Sequence, residues 1–279
     1  MIGLDAAVLH AYLVGTMVAA ACGVVGTLLV LRGEVFSADA LGHVAFTGAM
    51  AALVLGLSLG IGLYGACALF AVGLALLGRR GTPDDVRTGS AFAWVLGIGA
   101  LLLAQYASSS SAPSGTAGVA VLFGSLFSLT PAAAWRTTLC CAVALVLLVV
   151  LLRPLLFLSL DPEVAAGRGL PIRSLSVGFA LVTAVVAAAT TEAVGALLLL
   201  GLLAAPAGAA LKVVTSPYRA VLVSTALAVG SVWAGLTWSL LEPAIPPSTA
   251  IVAVAALGYA AAALLAQRRR QGRLLGSAS

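Results

Sequence analysis

The run AVALVLLVVLL at Ala142–Leu152 is apolar at every position. A strand of a membrane barrel alternates apolar and polar residues, because one face meets lipid and the other meets a polar interior. A segment that is apolar on all sides fits a helix in lipid or within a helix bundle. The surrounding apolar stretch, 137–158, has about the 20 residues that are needed to cross a hydrocarbon core of roughly 30 Å. It therefore predicts a transmembrane helix.

Similar apolar runs recur along the chain, separated by short breaks that are polar or contain glycine or proline. They lie at 7–31, 38–60, 62–78, 88–105, 137–158, 174–190, 193–211, 220–241 and 248–266. The segment Gly115–Leu129 is too short and too rich in glycine and serine for a span, so we expect a re-entrant or surface helix there. We predict an all-α, polytopic transmembrane helix bundle with about eight or nine spans. Residues 1–267 would form a single domain, and residues 268–279 a basic cytoplasmic tail.

The composition agrees with a membrane protein. Hydrophobic residues make up 62% of the 279 residues and charged residues only 8%, against roughly 25% charged residues in soluble domains. The net charge is +5, but the arginines are scattered at the ends of apolar runs and form no basic face with interleaved aromatic residues. We therefore expect the partner to be a lipid bilayer and not a nucleic acid. The cysteines lack the paired spacing of a disulfide scaffold or a zinc site, and we interpret them as small buried residues: Cys22, Cys67, Cys140 and Cys141.

Basic residues between the spans predict the orientation, since loops rich in Lys and Arg remain in the cytoplasm. The loops that define this side contain Arg79, Arg80 and Arg87, then Arg168 and Arg173, then Lys212 and Arg219, with Arg268–Arg270 in the tail. Arg136 fits this assignment less well, and the orientation of the amino terminus stays open. The first apolar run follows Asp5 and no positive region, so we expect it to be retained and not cleaved as a signal peptide.

Two ionisable residues in the second apolar run are candidates for chemistry. Asp39 and His43 lie four residues apart, so on a helix they project from one face, one turn apart. An aspartate at the centre of a membrane helix costs roughly 2.5–3.5 kcal/mol, which makes it a functional candidate. Carboxylate and imidazole suit zinc or manganese without the tight grip of thiolates. A structural ion pair or a helix cap near the membrane boundary is the alternative, and the spacing alone does not decide.

Four motifs resemble those of one transporter family. Ala38–Gly48, ADALGHVAFTG, is similar to the Gly-Asp-Ala-Leu-Ser-His-Ala-Ala-Leu-Pro-Gly signature of the zinc/manganese ABC permeases, also called ABC-3. Leu122–Leu126, LFGSL, resembles the family's Leu-Phe-Gly-Ser-Leu element. The family's Asp-Pro-Glu and Gly-Leu-Pro-Val-Arg loop is matched by Asp161–Glu163 and Gly169–Arg173. Ala193–Ala207 resembles its Ala-Val-Gly-Val-Leu-Leu run, which ends in Leu-Pro-Ala. Order and spacing agree across nearly the whole chain.

The resemblance implies the membrane subunit of an ATP-driven importer for a divalent transition metal, with a permease fold like that of vitamin B12 importers. It implies metal contacts at Asp39 and His43 and an ATPase coupling surface from about Pro206 through Lys212 to Arg219. It further implies a homodimer of permeases in a bacterial cell membrane, a cytoplasmic ABC ATPase and an extracytoplasmic metal-binding protein. No cofactor would be permanently bound, and the transported ion would be Zn²⁺ or Mn²⁺.

The chain has no Gly-x-x-x-x-Gly-Lys-[Ser/Thr] loop for the phosphates of ATP. We therefore expect ATP to be used by the partner subunit and the chain itself not to be an enzyme. An ion-coupled secondary transporter of a small cation is the alternative, although no inverted repeat with broken helices is visible. An intramembrane hydrolase would need a His-Glu-x-x-His motif or a nucleophile and base, and no such set appears.

The chain also departs from the family pattern. Ala38, Gly42 and Thr47 replace the usual Gly, Ser and Pro, and Glu192 stands where an uncharged or basic residue is common. These departures leave the identity of the metal open. Glu192 is a possible pathway residue, but its position at an outer helix junction favours a solvated helix cap.

Overall fold

A computed structural model describes residues 2–77, 85–108, 116–124 and 126–276, so Arg79 and Arg80 lie outside the described residues. Within these ranges the chain forms α-helices and one short 3-10 turn, Leu126–Ser128, and no strand, which confirms the predicted all-α fold. The helices are α1 (Ile2–Arg32), α2 (Val35–Val54), α3 (Leu59–Leu77), α4 (Asp85–Ser108), α5 (Thr116–Phe123), α6 (Pro131–Leu160), α7 (Pro162–Gly167), α8 (Ile172–Ala193), α9 (Leu199–Val213), α10 (Pro217–Leu241) and α11 (Pro247–Gly276). The last helix thus continues beyond Arg268, where the sequence predicts a separate tail.

Eight helices in the described part of the chain are long and apolar enough to cross a membrane, namely α1, α2, α3, α4, α6, α8, α10 and α11. The apolar helix α9 is shorter. The predicted number of spans is therefore confirmed, although some boundaries differ. The second helix ends at Val54 and not at 60, because Gly56 adopts a positive φ of 69° and turns the chain into α3. The sixth begins at Pro131 and not at 137, because Thr130 caps it by accepting a hydrogen bond from the backbone N–H of Ala133.

The orientation of α1 follows from its contacts with α8. Arg32 Nη2 donates a hydrogen bond to Ser176 Oγ at 3.4 Å, and the Arg32 guanidinium carbon lies 4.7 Å from the centroid of the Phe179 ring. The helix α8 begins at Ile172 and contains Arg173, and the sequence predicts a cytoplasmic position for this arginine. Arg32 therefore lies at the same end of the bundle as Arg173. With that end in the cytoplasm, α1 would begin on the outer side, and this orientation stays a prediction.

The turn between α1 and α2 carries an ion pair at the same end of the bundle. Arg32 Nε lies 3.0 Å from Glu34 Oε1, and both side chains are largely buried. Burial raises the pKa of the Glu34 carboxyl, and the neighbouring Arg32 guanidinium acts in the opposite direction. The pair joins the α1–α2 corner to α8 through the Arg32 contacts.

The apolar run at 193–211 does not form one helix. The helix α8 ends at Ala193 and α9 begins only at Leu199, so residues 194–198 form a turn that we call the α8–α9 break. The helix α5 has eight residues and spans about 12 Å at 1.5 Å per residue. This is far less than a hydrocarbon core of roughly 30 Å. The prediction that Gly115–Leu129 does not span the membrane is thus confirmed for its described residues.

Small residues bring α2 and α3 into close contact. A Cβ atom on Gly48 would lie 2.3 Å from the backbone oxygen of Gly62, and a Cβ atom on Gly62 would lie 2.1 Å from that of Gly48. Glycine at such positions lets the backbones of membrane helices approach each other. The helix α2 also packs against α4 and α8, and to a smaller extent against α9, α1 and α5, so neighbouring helices enclose the helix that carries Asp39 and His43.

Candidate metal site

Asp39 and His43 lie one turn apart in the first half of α2. Both side chains keep partial exposure, whereas the intervening Ala40, Leu41 and Gly42 are buried. Neither Asp39 nor His43 makes a hydrogen bond or an ion pair with any described side chain, and the side chain of Glu34 next to the start of α2 makes no capping hydrogen bond. Among the described residues, Asp39 and His43 therefore do not form the structural ion pair that was the alternative interpretation. Their oxygen and nitrogen atoms remain available.

Aromatic side chains cover this face of α2. The centroid of the His43 ring lies 5.1 Å from that of Phe92 on α4 in an edge-to-face arrangement, and Phe36 lies 5.9 Å from Phe92. One turn beyond His43, Thr47 Oγ1 donates a hydrogen bond to the backbone oxygen of Val95 at 3.1 Å. The two candidate ligands therefore lie between α2 and α4, beneath a cover that α4 supplies.

The cover helix itself is held mainly from one side. Its outward residues are strongly exposed, with Trp94 at 76% and Leu101 at 65%. A Cβ atom on Gly99 would lie 2.4 Å from Thr47 Oγ1, so glycine at this position lets α4 approach α2 closely. A helix with few buried contacts is drawn from the less stable end of a structure, where movement is easiest.

The other flank of α2 meets the α8–α9 break. A Cβ atom on Gly42 would lie 2.9 Å from Leu199 Cδ2 and 3.1 Å from the backbone oxygen of Ala196. Gly42, which stands where the family usually has serine, thus lets the break pack directly beside His43. The break and the candidate ligands are neighbours in space, although they are far apart in the sequence.

The break is held in turn by the short helix α5. The backbone N–H of Ala196 donates to Val121 O at 3.2 Å, and that of Leu197 donates to Leu122 O at 3.2 Å. Irregular backbone at membrane depth needs such partners, because lipid supplies none. The two motifs LFGSL and AVGALL therefore pair with each other, a contact that neither motif reveals by itself.

Two glycines make this pairing possible. Gly124 and Gly195 have φ values of 59° and 106°, and a Cβ atom on either one would lie 2.4 Å from the backbone of the opposite segment. Only glycine fits a positive φ and such a close approach together. The crossing of Gly124 and Gly195 joins α5, α8 and α9 at one point.

Glu192 lies in the last turn of α8 with its side chain only 4% exposed. Its carboxylate pairs with Arg136 Nη2, and it accepts hydrogen bonds from Thr137 Oγ1 at 3.0 Å and Tyr64 Oη at 3.3 Å. The interpretation of Glu192 as a solvated helix cap is therefore wrong, because its side chain is buried and paired. A pathway role for Glu192 stays a prediction.

The predicted coupling surface divides into a buried and an exposed part. Pro206 is buried in the middle of α9, so it does not reach a docking surface. Lys212 and Arg219 are exposed on either side of the turn between α9 and α10. Coupling through these two residues stays a prediction.

Comparisons with known proteins agree with the resemblance of the four motifs. Residues 5–266 match the model of the ABC 3 transport family. The chain is 27% identical over 267 residues to the manganese transport system membrane protein MntC of Halalkalibacterium halodurans, covering 93% of this chain and 86% of that protein. It is 29% identical over 217 residues to the manganese transport system membrane protein MntD of Bacillus subtilis, covering 70% and 71%. In the solved structure of PsaBC from Streptococcus pneumoniae in complex with Fab, a chain shares its fold, with a TM-score of 0.77, 22% identity and coverage of 91% of this chain and 90% of that one. The predicted family is confirmed, and this multi-pass membrane protein belongs to the ABC 3 transport family.

Proposed function

We propose that the chain is the permease subunit of an ATP-driven bacterial importer for a divalent transition metal, with manganese as the first candidate. The observation that carries this proposal is the pair Asp39 and His43, which lies inside the bundle with no partner among the described side chains. Carboxylate oxygen suits manganese, and imidazole suits many transition metals. The names of the relatives MntC and MntD support manganese over zinc as cargo.

The pair also suits release of the ion. In the described residues no group of three or more His, Cys, Asp and Glu side chains surrounds a common point. Two protein ligands leave the other coordination positions to water or to ligands from elsewhere, and this keeps the affinity below that of a closed structural site. A carrier needs such a site because it must give up its cargo.

The phenyl ring of Phe92 on α4 lies against the His43 ring, so a shift of α4 would change how far His43 is exposed. The helix α4 packs mainly against α2, so no other described helix opposes such a shift to the same extent. We infer that alternating exposure of Asp39 and His43 involves movement of α4 relative to α2.

The proposal includes three partners. A second copy of the chain would complete the pathway, an extracytoplasmic protein would deliver the metal, and a cytoplasmic ATPase would supply the energy. The exposed residues Lys212 and Arg219 offer the ATPase a contact at the α9–α10 turn. The short helix α7 offers another, because Asp161 caps it by accepting from the N–H of Val164, and Glu163 is exposed beside it. An ATPase that binds both would contact the helices on each side of the α8–α9 break.

The test is reconstitution of the permease with its ATPase and its binding protein in proteoliposomes. Uptake of radioactive manganese should require ATP and the ATPase, and excess unlabelled manganese should compete better than zinc. Uptake that proceeds without the ATPase and follows an ion gradient would overturn the proposal in favour of an ion-coupled carrier. Purification of the permease from its native membrane should also recover the ATPase as a stoichiometric partner.

A further inference from the structure

A buried ion pair lies at the end of α8, just before the α8–α9 break. Glu192 on α8 meets Arg136 and Thr137 on α6 and Tyr64 on α3, and we call these four residues the outer latch. Its carboxylate receives one charged and two neutral donors from two other helices. The guanidinium supplies the counter-charge of this carboxylate, and the three donors together occupy most of its roughly four lone-pair sites.

The Arg136 guanidinium lies against α3, in a position that we call its seat, formed by Gly60 and Tyr64. A Cβ atom on Gly60 would lie 2.6 Å from Arg136 Cζ, so the guanidinium could keep this position only next to glycine and would have to shift beside a larger residue. The Arg136 guanidinium carbon also lies 5.9 Å from the centroid of the Tyr64 ring. Arg136 keeps 39% exposure on its open side, while Glu192 keeps 4%. The geometry fixes three helices to one another, because loss of either charge would leave its partner unpaired.

One member of the outer latch, Glu192, directly precedes the α8–α9 break. Glu192 is in the final turn of α8, and Gly195 follows with its positive φ of 106°. Beyond Gly195, Ala196 and Leu197 bond to the backbone of α5. The helix α9 then runs to the cytoplasmic side, where Lys212 lies in its last turn. If α9 moves at its cytoplasmic end, the movement reaches the α8–α9 break. On the other side of the break, the outer latch holds α8 in place.

We propose that Glu192 and Arg136 are positioning residues that hold the outer end of α8 against α3 and α6, so that movement of α9 is absorbed at the Gly124–Gly195 crossing. The pair does not bind the cargo, because the Arg136 guanidinium already occupies the Glu192 carboxylate. This inference rests on the proposed transport function. If the end of α8 were free, it would move together with α9, and the packing of the break against Gly42 would not change. With α8 fixed, movement of α9 changes this packing, and with it the surroundings of Asp39 and His43.

The test uses the complete complex in proteoliposomes, with Glu192→Gln, Arg136→Gln and the double variant normalised to the amount of folded permease. The maximal rate of manganese uptake should fall at least about fivefold, with the apparent KM for manganese unchanged. More ATP should be hydrolysed per ion imported, a ratio that a purely structural defect would not alter. The double variant should be no worse than the poorer single variant, since both remove one interaction.

Gly60→Ala is a second variant that changes no charge. It displaces the guanidinium from its seat, so it should reproduce the lower maximal rate and the higher ATP consumption if the charge variants fail to fold. A change in the KM for manganese in Glu192→Gln would overturn the inference and assign Glu192 to the cation path. Unchanged uptake in Glu192→Gln and Gly60→Ala, or additive losses in the double variant, would also overturn it. Wild-type uptake and its loss in Asp39→Asn, measured in parallel, test the transport function separately.

Discussion

Asp39 and Glu192 are both carboxylates in membrane-crossing helices, but their surroundings are opposite. Glu192 is buried and receives Arg136, Thr137 and Tyr64. Asp39 is partly exposed and has no partner among the described side chains. A carboxylate that is neutralised by a guanidinium has little attraction left for a metal ion, whereas an unpaired one keeps it. The difference shows that a charged side chain in a membrane helix is a candidate cation ligand when it lacks a protein partner, and that the charge alone is not sufficient.

The strongest test of this comparison is removal of the available ligands. Asp39→Asn or His43→Ala should lower manganese uptake about 100-fold or more, because even outer partners of metal ligands contribute about 10–100-fold. Glu242→Gln and His10→Ala make the same chemical changes at exposed positions and should leave uptake unchanged. Radioactive uptake in a strain that lacks its own importer measures the effect. Normal uptake in both site variants would remove Asp39 and His43 from the pathway.

The second test compares stability. Arg136→Ala leaves Glu192 buried without a counter-charge, which should cost about 3 kcal/mol in the free energy of unfolding. Asp39→Asn breaks no interaction among the described side chains, so its free energy of unfolding should stay within about 0.5 kcal/mol of the wild type. Denaturant unfolding in detergent measures both. An equal loss in the two variants would mean that Asp39 is a structural residue like Glu192.

The sequence was informative where a signal is local. The spans follow from runs of apolar residues, and the shared face of Asp39 and His43 follows from their spacing on one helix. The partner of Glu192 was missed because Arg136 lies 56 positions away. A signal existed, since Arg136 fitted the predicted cytoplasmic loops poorly and Glu192 departed from the family pattern. The ion pair explains both features, because the unexpected arginine is the partner of the unexpected glutamate.

The pairing of Gly124 with Gly195 had no comparable signal. Both motifs were recognised, but glycine in a single sequence does not reveal which backbone approaches it. The coupling surface was extended to Pro206 because the motif ends there, whereas the structure buries that residue within α9. Contacts between distant segments depend on tertiary packing, which neither apolar periodicity nor spacing encodes.

The third test addresses the break that links the two carboxylate regions. Gly195→Ala should cost about 2 kcal/mol, because φ is positive and the new Cβ would meet the backbone of Phe123. Gly56→Ala is the matched control, since φ is also positive but no atom lies within 4 Å of its Cβ position. It should cost about 1 kcal/mol. Manganese uptake should fall in Gly195→Ala and not in Gly56→Ala. Equal effects would show that the crossing has no special role.

The smallest expected effect concerns the cover over Asp39 and His43. Thr47→Val removes the hydrogen bond to Val95 O that fastens α4 to α2, and the free energy of unfolding should fall by about 1 kcal/mol. Thr138→Val is the control, because the Thr138 hydroxyl bonds to Ala134 O within its own helix. Hydrogen exchange of the α4 amides should increase in Thr47→Val only, since loosening the cover opens α4 locally while the outer latch still holds α8. Equal exchange in both variants would mean that the Thr47 hydrogen bond does not hold α4, and that the aromatic contacts of Phe92 with His43 and Phe36 hold it instead.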